Sequence, residues 1–322
     1  MPFAASVTTP CSAPPYPETS VFLLSLALLT FPVDGAVVRD SVDSTVVRDI
    51  EVAQGETLRT TSVGTGQPIV LIPGVFGGAF GYRKITGPLV AQGYRTIVVE
   101  PLGYGSSSHP EKADYSFGAQ SERLARTLDQ MGIKRALIVA QSSGAAIAFR
   151  LAVERPDLVR GILSIDGGPA ESAATQGMKK AFKFGGGLVK LTMDEPRLRH
   201  EVRREIVKNS GDTTWVTDAV IRSYTAGQTA DLGGSIDAFH RMAKSKETTS
   251  LADRLHQCLA PVLLLVGAVE HPSEVPDEQR ELLKTKLRTF DSETVPGAGQ
   301  FIQEEQPDVV LAAVTRLNQV AP

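Results

Sequence analysis

An α/β fold on a mostly parallel sheet, carrying one helical insertion, is predicted by three features of this 322-residue sequence. Short, nearly unbroken apolar runs recur at intervals, as buried parallel strands require. Amphipathic stretches fill most gaps between them, which implies right-handed crossovers between neighbouring strands. One long gap, after Asp166 and before Pro261, has helical periodicity and no strand pattern.

In chain order, Arg48–Val52 and Thr57–Val63 read as edge strands joined by a turn at Gln54-Gly55. A second turn at 64–68 leads to the buried strand Ile69–Ile72. Further strands are expected at Thr96–Val99, Ala136–Ala140, Gly161–Ile165 and Pro261–Val266. Helical patterns cover Ala79–Gln92, Phe117–Met131, Gly144–Glu154, Pro276–Leu287 and Pro307–Asn318. Within the insertion, Leu198, Val202 and Ile206 mark one helix face, and Val216, Val220 and Tyr224 another. Gly185-Gly186-Gly187 and Gly233-Gly234 are expected to be bends; no strand precedes them and no GKS/T follows, so neither is a phosphate loop.

The composition excludes several classes. A formal net charge of -3 with scattered basic residues gives no electrostatic case for nucleic acid or an anionic membrane. The densest basic cluster, Arg197 to Arg204, alternates with Glu201 and Glu205 and reads as a solvated helix face. Two cysteines, Cys11 and Cys258, make no disulfide framework. The five histidines form no metal signature, so no metal is expected, and no dinucleotide or P-loop fingerprint implies a cofactor. Residues 1–36 read as a leader. Val21–Phe31 is an apolar run too short to span a bilayer but suited to an export signal, although no basic residue precedes it and Glu18 does. Export to the periplasm or outside is one reading; a cytoplasmic protein whose leader ends in a surface-docked helix is the other.

Ligands in such sheets bind beyond the carboxyl ends of the strands. After Ala136–Ala140 comes Gln141-Ser142-Ser143-Gly144 and then a helix. A serine on that sharp turn presents its hydroxyl, and the small residues Ala140 and Gly144 let the turn close. The free N–H of Ser143 then faces any developing negative charge. A helix-capping turn with no chemistry is the simpler alternative. The first buried strand is followed by Pro73-Gly74-Val75-Phe76-Gly77-Gly78, able to present backbone donors, and Thr96–Val99 by Glu100-Pro101-Leu102-Gly103-Tyr104-Gly105-Ser106-Ser107.

In motif order and spacing, residues 48–320 resemble the α/β-hydrolase superfamily, in particular its lidded esterase, lipase and C–C hydrolase branches. The resemblance implies an eight-stranded, mostly parallel sheet flanked by helices. It also implies a core at 37–168 and 255–322, and a helical lid at 169–254. Pro73 stands where the family has a loop histidine, Glu100 where it has aspartate, and Ala140 where it has the first elbow glycine. By resemblance, Ser142 attacks an acyl carbon and the Val75 and Ser143 amides form the oxyanion hole. Two carboxylates compete as the acid: Glu270, slightly favoured, in the loop after Pro261–Val266, and Asp166 at the end of the preceding strand.

The family's histidine follows a Gly-x-Gly motif, but here Gly297-Ala298-Gly299 is followed by Gln300. Glutamine donates and accepts hydrogen bonds but takes no proton near neutral pH. In subtilisin, loss of the triad histidine alone costs about 2 × 10⁶ in turnover. His271 is the nearest substitute base in sequence terms, although a loop histidine without function is the commoner situation. His109, His240 and His256 are weaker substitutes. The sequence therefore supports a hydrolase of ester, lactone or related acyl compounds with a displaced base. A non-catalytic ligand-binding homologue is the alternative. Dehalogenase and epoxide hydrolase chemistry is disfavoured because those relatives need a carboxylate where Ser142 stands. The expected partner is a small apolar acyl substrate or ligand: Phe182, Phe184, Leu188, Trp215 and Phe239 give the insertion apolar bulk suited to an acyl or ring system, or equally to the insertion's own core.

Overall fold

The computed structural model describes residues 45–172, 182 and 186–321. The proposed leader and Phe184 lie outside these residues, as does the side chain of Leu188. Eight strands form one sheet in the order β1-β2-β4-β3-β5-β6-β7-β8. They are β1 Val46–Ala53, β2 Glu56–Val63, β3 Gln67–Ile72, β4 Tyr94–Val99, β5 Ala136–Gln141, β6 Val159–Ile165, β7 Val262–Gly267 and β8 Phe290–Val295. The β1·β2 and β2·β4 pairs are antiparallel; every pair from β4 to β8 is parallel. The predicted mostly parallel, eight-stranded sheet is thus the one observed.

The reason lies in the alternation of side chains along the inner strands. Val70 and Ile72 enter one apolar cluster, and Ile69 and Leu71 the cluster on the opposite face. Helices α2 (Phe117–Gln130) and α3 (Ser143–Glu154) cover the first face. Helix α1 (Arg83–Ala91) and the C-terminal helix Pro307–Val320 cover the second. Burial on both faces demands continuous apolar strands, which is why β3, β5 and β7 are legible in the sequence. In contrast, β8 is the polar, largely exposed edge segment FDSETV, and no apolar run announces it.

Between β6 and β7 the described residues contain helices and no strand. These are α4 Gly186–Thr192, α5 Glu195–Lys208, α6 Asp218–Tyr224, α7 Ala226–Ala230, α8 Leu232–Lys244 and α9 Leu251–Arg254. Asp194 caps α5 by accepting the Arg197 N–H at 2.9 Å, and Asp231 caps α8 by accepting that of Gly234, also at 2.9 Å. Leu198, Val202 and Ile206 pack with Trp215, Val216, Ile221 and Tyr224 in a core of their own. The glycine pairs are not bends: Gly186 and Gly187 open α4, and Gly233 and Gly234 occupy the first turn of α8. The Asp231 cap holds that turn helical despite the low propensity of glycine. Arg199 and Arg204 pair with Glu195, Glu201 and Glu205, so the basic run is a solvated face.

Helix α10 (Asp277–Lys286) separates β7 from β8, and the short α11 (Ile302–Glu305) precedes α12 (Pro307–Val320). Among the described residues no helix is long and apolar enough to cross a membrane.

Candidate active site

Ser142 joins β5 to α3 with φ 51° and ψ -124°, a backbone conformation rarely adopted by a residue with a side chain. Its neighbours hold it there. The Ser142 N–H donates to the Ile165 carbonyl at 2.9 Å. A Cβ on Gly144 would come within 2.5 Å of the Ile72 carbonyl, and one on Gly167 within 2.3 Å of the Ser142 carbonyl. Only glycine fits at either place, so the turn is packed from both sides. Strain of this kind persists where surrounding structure over-determines it, and such places are commonly functional.

A cavity of about 940 Å³ opens in front of this turn. Val75, Ser142, Ser143, Asp166 and Gln300 all line it. The Val75 and Ser143 N–H groups have no hydrogen-bond partner among the described residues. Ser143 is the first residue of α3, whose amide has no intrahelical acceptor. The expected oxyanion-hole amides are therefore both free beside Ser142.

Gln300 occupies the position opposite the serine. Its Nε2 donates to Ser142 Oγ at 3.0 Å, and its side chain is buried. Two residues that the sequence did not single out hold it. Gln141 accepts the Gly74 N–H through Oε1 at 3.2 Å and donates from Nε2 to the Gln300 carbonyl at 3.4 Å. Asn209, at the end of α5, accepts the Gln300 N–H on its carbonyl at 2.7 Å and the Ser273 N–H on Oδ1 at 3.1 Å. Both are ordinary polar residues whose role exists only in the assembled fold; a glutamine directly before the elbow serine was the one available signal.

The two candidate carboxylates separate. Glu270 is exposed and does not line the cavity. Asp166 lines it at 1% exposure, because it directly ends β6 and its N–H is drawn to the Leu265 carbonyl at 2.8 Å. Of the two, the structure brings only Asp166 to the cavity that Ser142 lines. His271 is also buried, with Nε2 3.1 Å from Asp166 Oδ2, outside the alignment of a good hydrogen bond. It does not line the cavity, and neither does any other histidine. His109 is 3.2 Å from Ser235 Oγ and 3.3 Å from Asp231, and His240 packs against Phe182. His200 and His256 are exposed. Burial pushes the Asp166 carboxyl above the usual carboxylate range, with His271 opposing the shift.

Glu100 ties the two loops flanking the elbow. Its buried carboxylate accepts the Ala79 N–H at 3.0 Å and the Ser106 N–H at 2.6 Å. Burial raises its pKa and these two N–H groups oppose the rise. The apolar walls come from Phe76, Phe117, Tyr224, Val275 and Phe301. Phe182, Trp215 and Phe239 are not among them. Trp215 stacks on Tyr224 and Phe301, and Phe239 packs edge-on against Phe76. They support the cavity wall from behind.

The family model of the α/β hydrolase fold matches residues 67–208, the span from β3 through the elbow into the helical insertion. With the sheet order, that decides the fold. The chain has the α/β-hydrolase fold. As such a protein it is 24% identical to the sn-1-specific diacylglycerol lipase ABHD11 of Mus musculus, over 77% of this chain and 79% of that one. Haloalkane dehalogenase 2 of Mycobacterium tuberculosis is 26% identical, over 78% of this chain and 87% of its own. Among solved structures, the epoxide hydrolase CorEH superposes with a TM-score of 0.71 at 15% identity, over 85% of this chain and 98% of that one. These relatives are hydrolases, and the comparisons support hydrolase function in general. Within the superfamily fold the residue at the elbow separates their chemistries, and here it is Ser142. No group of three or more His, Cys, Asp or Glu side chains suited to a metal occurs among the described residues.

Proposed function

We propose that this α/β hydrolase cleaves small esters or lactones through Ser142, at a turnover held low by Gln300. The observation that carries the reading is the strained elbow: Ser142, at φ 51°, faces a cavity of about 940 Å³ beside two unpartnered N–H groups. Ser142 Oγ adds to the acyl carbon while the carbonyl oxygen moves between the Val75 and Ser143 amides. The hydroxyl proton passes through solvent water to the alkoxide oxygen as the C–O bond breaks, so an ester releases its alcohol and a lactone opens to a tethered one. Water then releases the carboxylic acid and regenerates the serine. The oxyanion donors stabilise charge that exists only in the transition state, typically ~3–4 kcal/mol per donor. What the site lacks is a base at the serine. Gln300 cannot accept its proton, and His271 does not line the cavity; its Nε2 is 3.1 Å from Asp166 Oδ2. A triad enzyme without its histidine retains roughly 10³–10⁴ over water from the oxyanion hole and binding.

The lining argues for an apolar acyl or ring-bearing substrate, since Phe76, Phe117, Tyr224 and Phe301 make up much of the wall. The helical insertion supplies part of that wall through Tyr224 and the end of α5, in the manner of a lid. The Gln300 contact favours a second reading, a ligand-binding protein without turnover. Hydrolysis of p-nitrophenyl butyrate by the purified chain and by Ser142→Ala separates them. Slow hydrolysis that disappears in Ser142→Ala supports the hydrolase; no hydrolysis, or hydrolysis that survives the substitution, overturns it.

A further inference from the structure

We infer that the Ser142 site binds carboxylates, with the serine hydroxyl acting as a hydrogen-bond donor to the ligand. The inference uses the placement of Ser142 and its flanking amides argued above, but not turnover. A histidine base would accept the serine proton and leave oxygen lone pairs facing the substrate. Here the polarity is reversed. Gln300 Nε2 donates to Ser142 Oγ at 3.0 Å, so the oxygen is the acceptor and its proton is released from that contact. No acceptor for the Ser142 hydroxyl is found among the described residues. Three donors are then carried by residues that line the cavity: the Ser142 O–H, the Val75 N–H and the Ser143 N–H. Among the described residues the two amides have no acceptor either.

Three such donors call for an oxygen ligand with several lone pairs. A carboxylate supplies two oxygens, one for the amide pair and one for the hydroxyl, whereas an amide or alcohol supplies one. The twelve-residue helix α3 starts at Ser143, and its N-terminal dipole favours the anion. Asp166, Glu205 and Glu274 also line the cavity and oppose an anion; Asp166 faces His271, and Glu205 lies 3.7 Å from Arg204. Lys208 lines the cavity as well and adds a positive charge at the end of α5. The aromatic walls call for an apolar tail on the carboxylate. The product acid of ester cleavage has this chemistry, and the site would retain it.

Calorimetric titration of the full chain with 4-phenylbutyrate and with its neutral analogue 4-phenylbutanamide tests the inference. The carboxylate is expected to bind at least about ten-fold more tightly than the amide. Ser142→Ala, checked for an unchanged melting temperature, should reduce that preference about five-fold or more. Gln300→His, measured at about pH 8 where a histidine is neutral, should reduce it too, because the ring nitrogen takes back the serine proton. Equal binding of the two probes, binding of neither, or a preference untouched by Ser142→Ala overturns the inference. The hydrolase reading fails separately: carboxylate binding without ester turnover removes that reading and leaves this one standing.

Discussion

Gln300 Nε2 lies 3.0 Å from Ser142 Oγ, in the place from which a general base would take the serine proton. The contact is not loose. The Gln300 main chain is held on one side by Gln141 and on the other by Asn209, so the side chain is aimed rather than merely near. On the proposed hydrolase reading, the site lacks one proton acceptor.

Asn209 lines the cavity and, on the proposed reading, acts by holding the Gln300 main chain. In a Gln300→His background, Asn209→Ala should lower kcat about ten-fold and leave KM nearly unchanged, because it loosens the residue facing the serine. Steady-state kinetics on p-nitrophenyl butyrate reads this directly; a rise in KM with kcat unchanged would assign Asn209 to substrate binding instead.

The raised pKa of Asp166 has a sign that can be followed. Its folded carboxyl holds a proton more tightly than the unfolded one, so the folded state carries the extra proton between the two pKa values. Its contribution to stability is complete below about pH 4 and is lost as pH rises through the folded pKa. Asp166→Asn removes that loss. It should raise the melting temperature near neutral pH and have little effect near pH 4, as read by thermal unfolding across that range.

Glu304 has a fully buried carboxylate in contact with Arg83, Lys84 at 3.7 Å and the Tyr224 hydroxyl at 2.7 Å. Tyr224 belongs to the helical insertion and lines the cavity, so this carboxylate fastens the insertion to the core. Glu304→Ala removes the acceptor shared by Tyr224, Arg83 and Lys84 and should cost about 1–3 kcal/mol in denaturant unfolding, since Arg83 keeps water and the Phe80 carbonyl. Tyr224→Phe removes one hydrogen bond to a charged group and should cost roughly 1.5–3 kcal/mol.

Glycines near the elbow and far from it should behave oppositely. Gly144→Ala drives a methyl to 2.5 Å from the Ile72 carbonyl and should abolish reaction of Ser142 with a fluorophosphonate. Gly87, inside α1 and directly before Pro88, has nothing beyond its own helix within 4 Å of an added Cβ, and Gly87→Ala should leave that reaction unchanged.

Which parts were legible follows from where the information resides. The buried strands announce themselves because both faces are covered, and the elbow because only small residues flank Ser142. Edge strand β8 lacked that signature because water covers most of it. The choice between Glu270 and Asp166 depends on which way a loop turns after β7, which no local pattern records. His271 sits one residue beyond exposed Glu270 yet is buried against Asp166, a contact spanning two strand ends. Whether an apolar residue of the insertion faces the cavity or packs behind it is likewise decided by tertiary packing. Trp215 and Phe239 have the apolar bulk expected of a wall, but Phe76 and Phe301, on the loops after β3 and β8, stand in front of them.

The central claim is that Ser142 is a competent nucleophile restrained by Gln300. Mass spectrometry of the intact chain during exposure to a fluorophosphonate tests it most directly, with wild type, Ser142→Ala and Gln300→His side by side. A single adduct on the Ser142 peptide should form slowly in wild type, at least about 10²-fold faster in Gln300→His, and not at all in Ser142→Ala. Equal rates in wild type and Gln300→His, or an adduct that persists in Ser142→Ala, would contradict it.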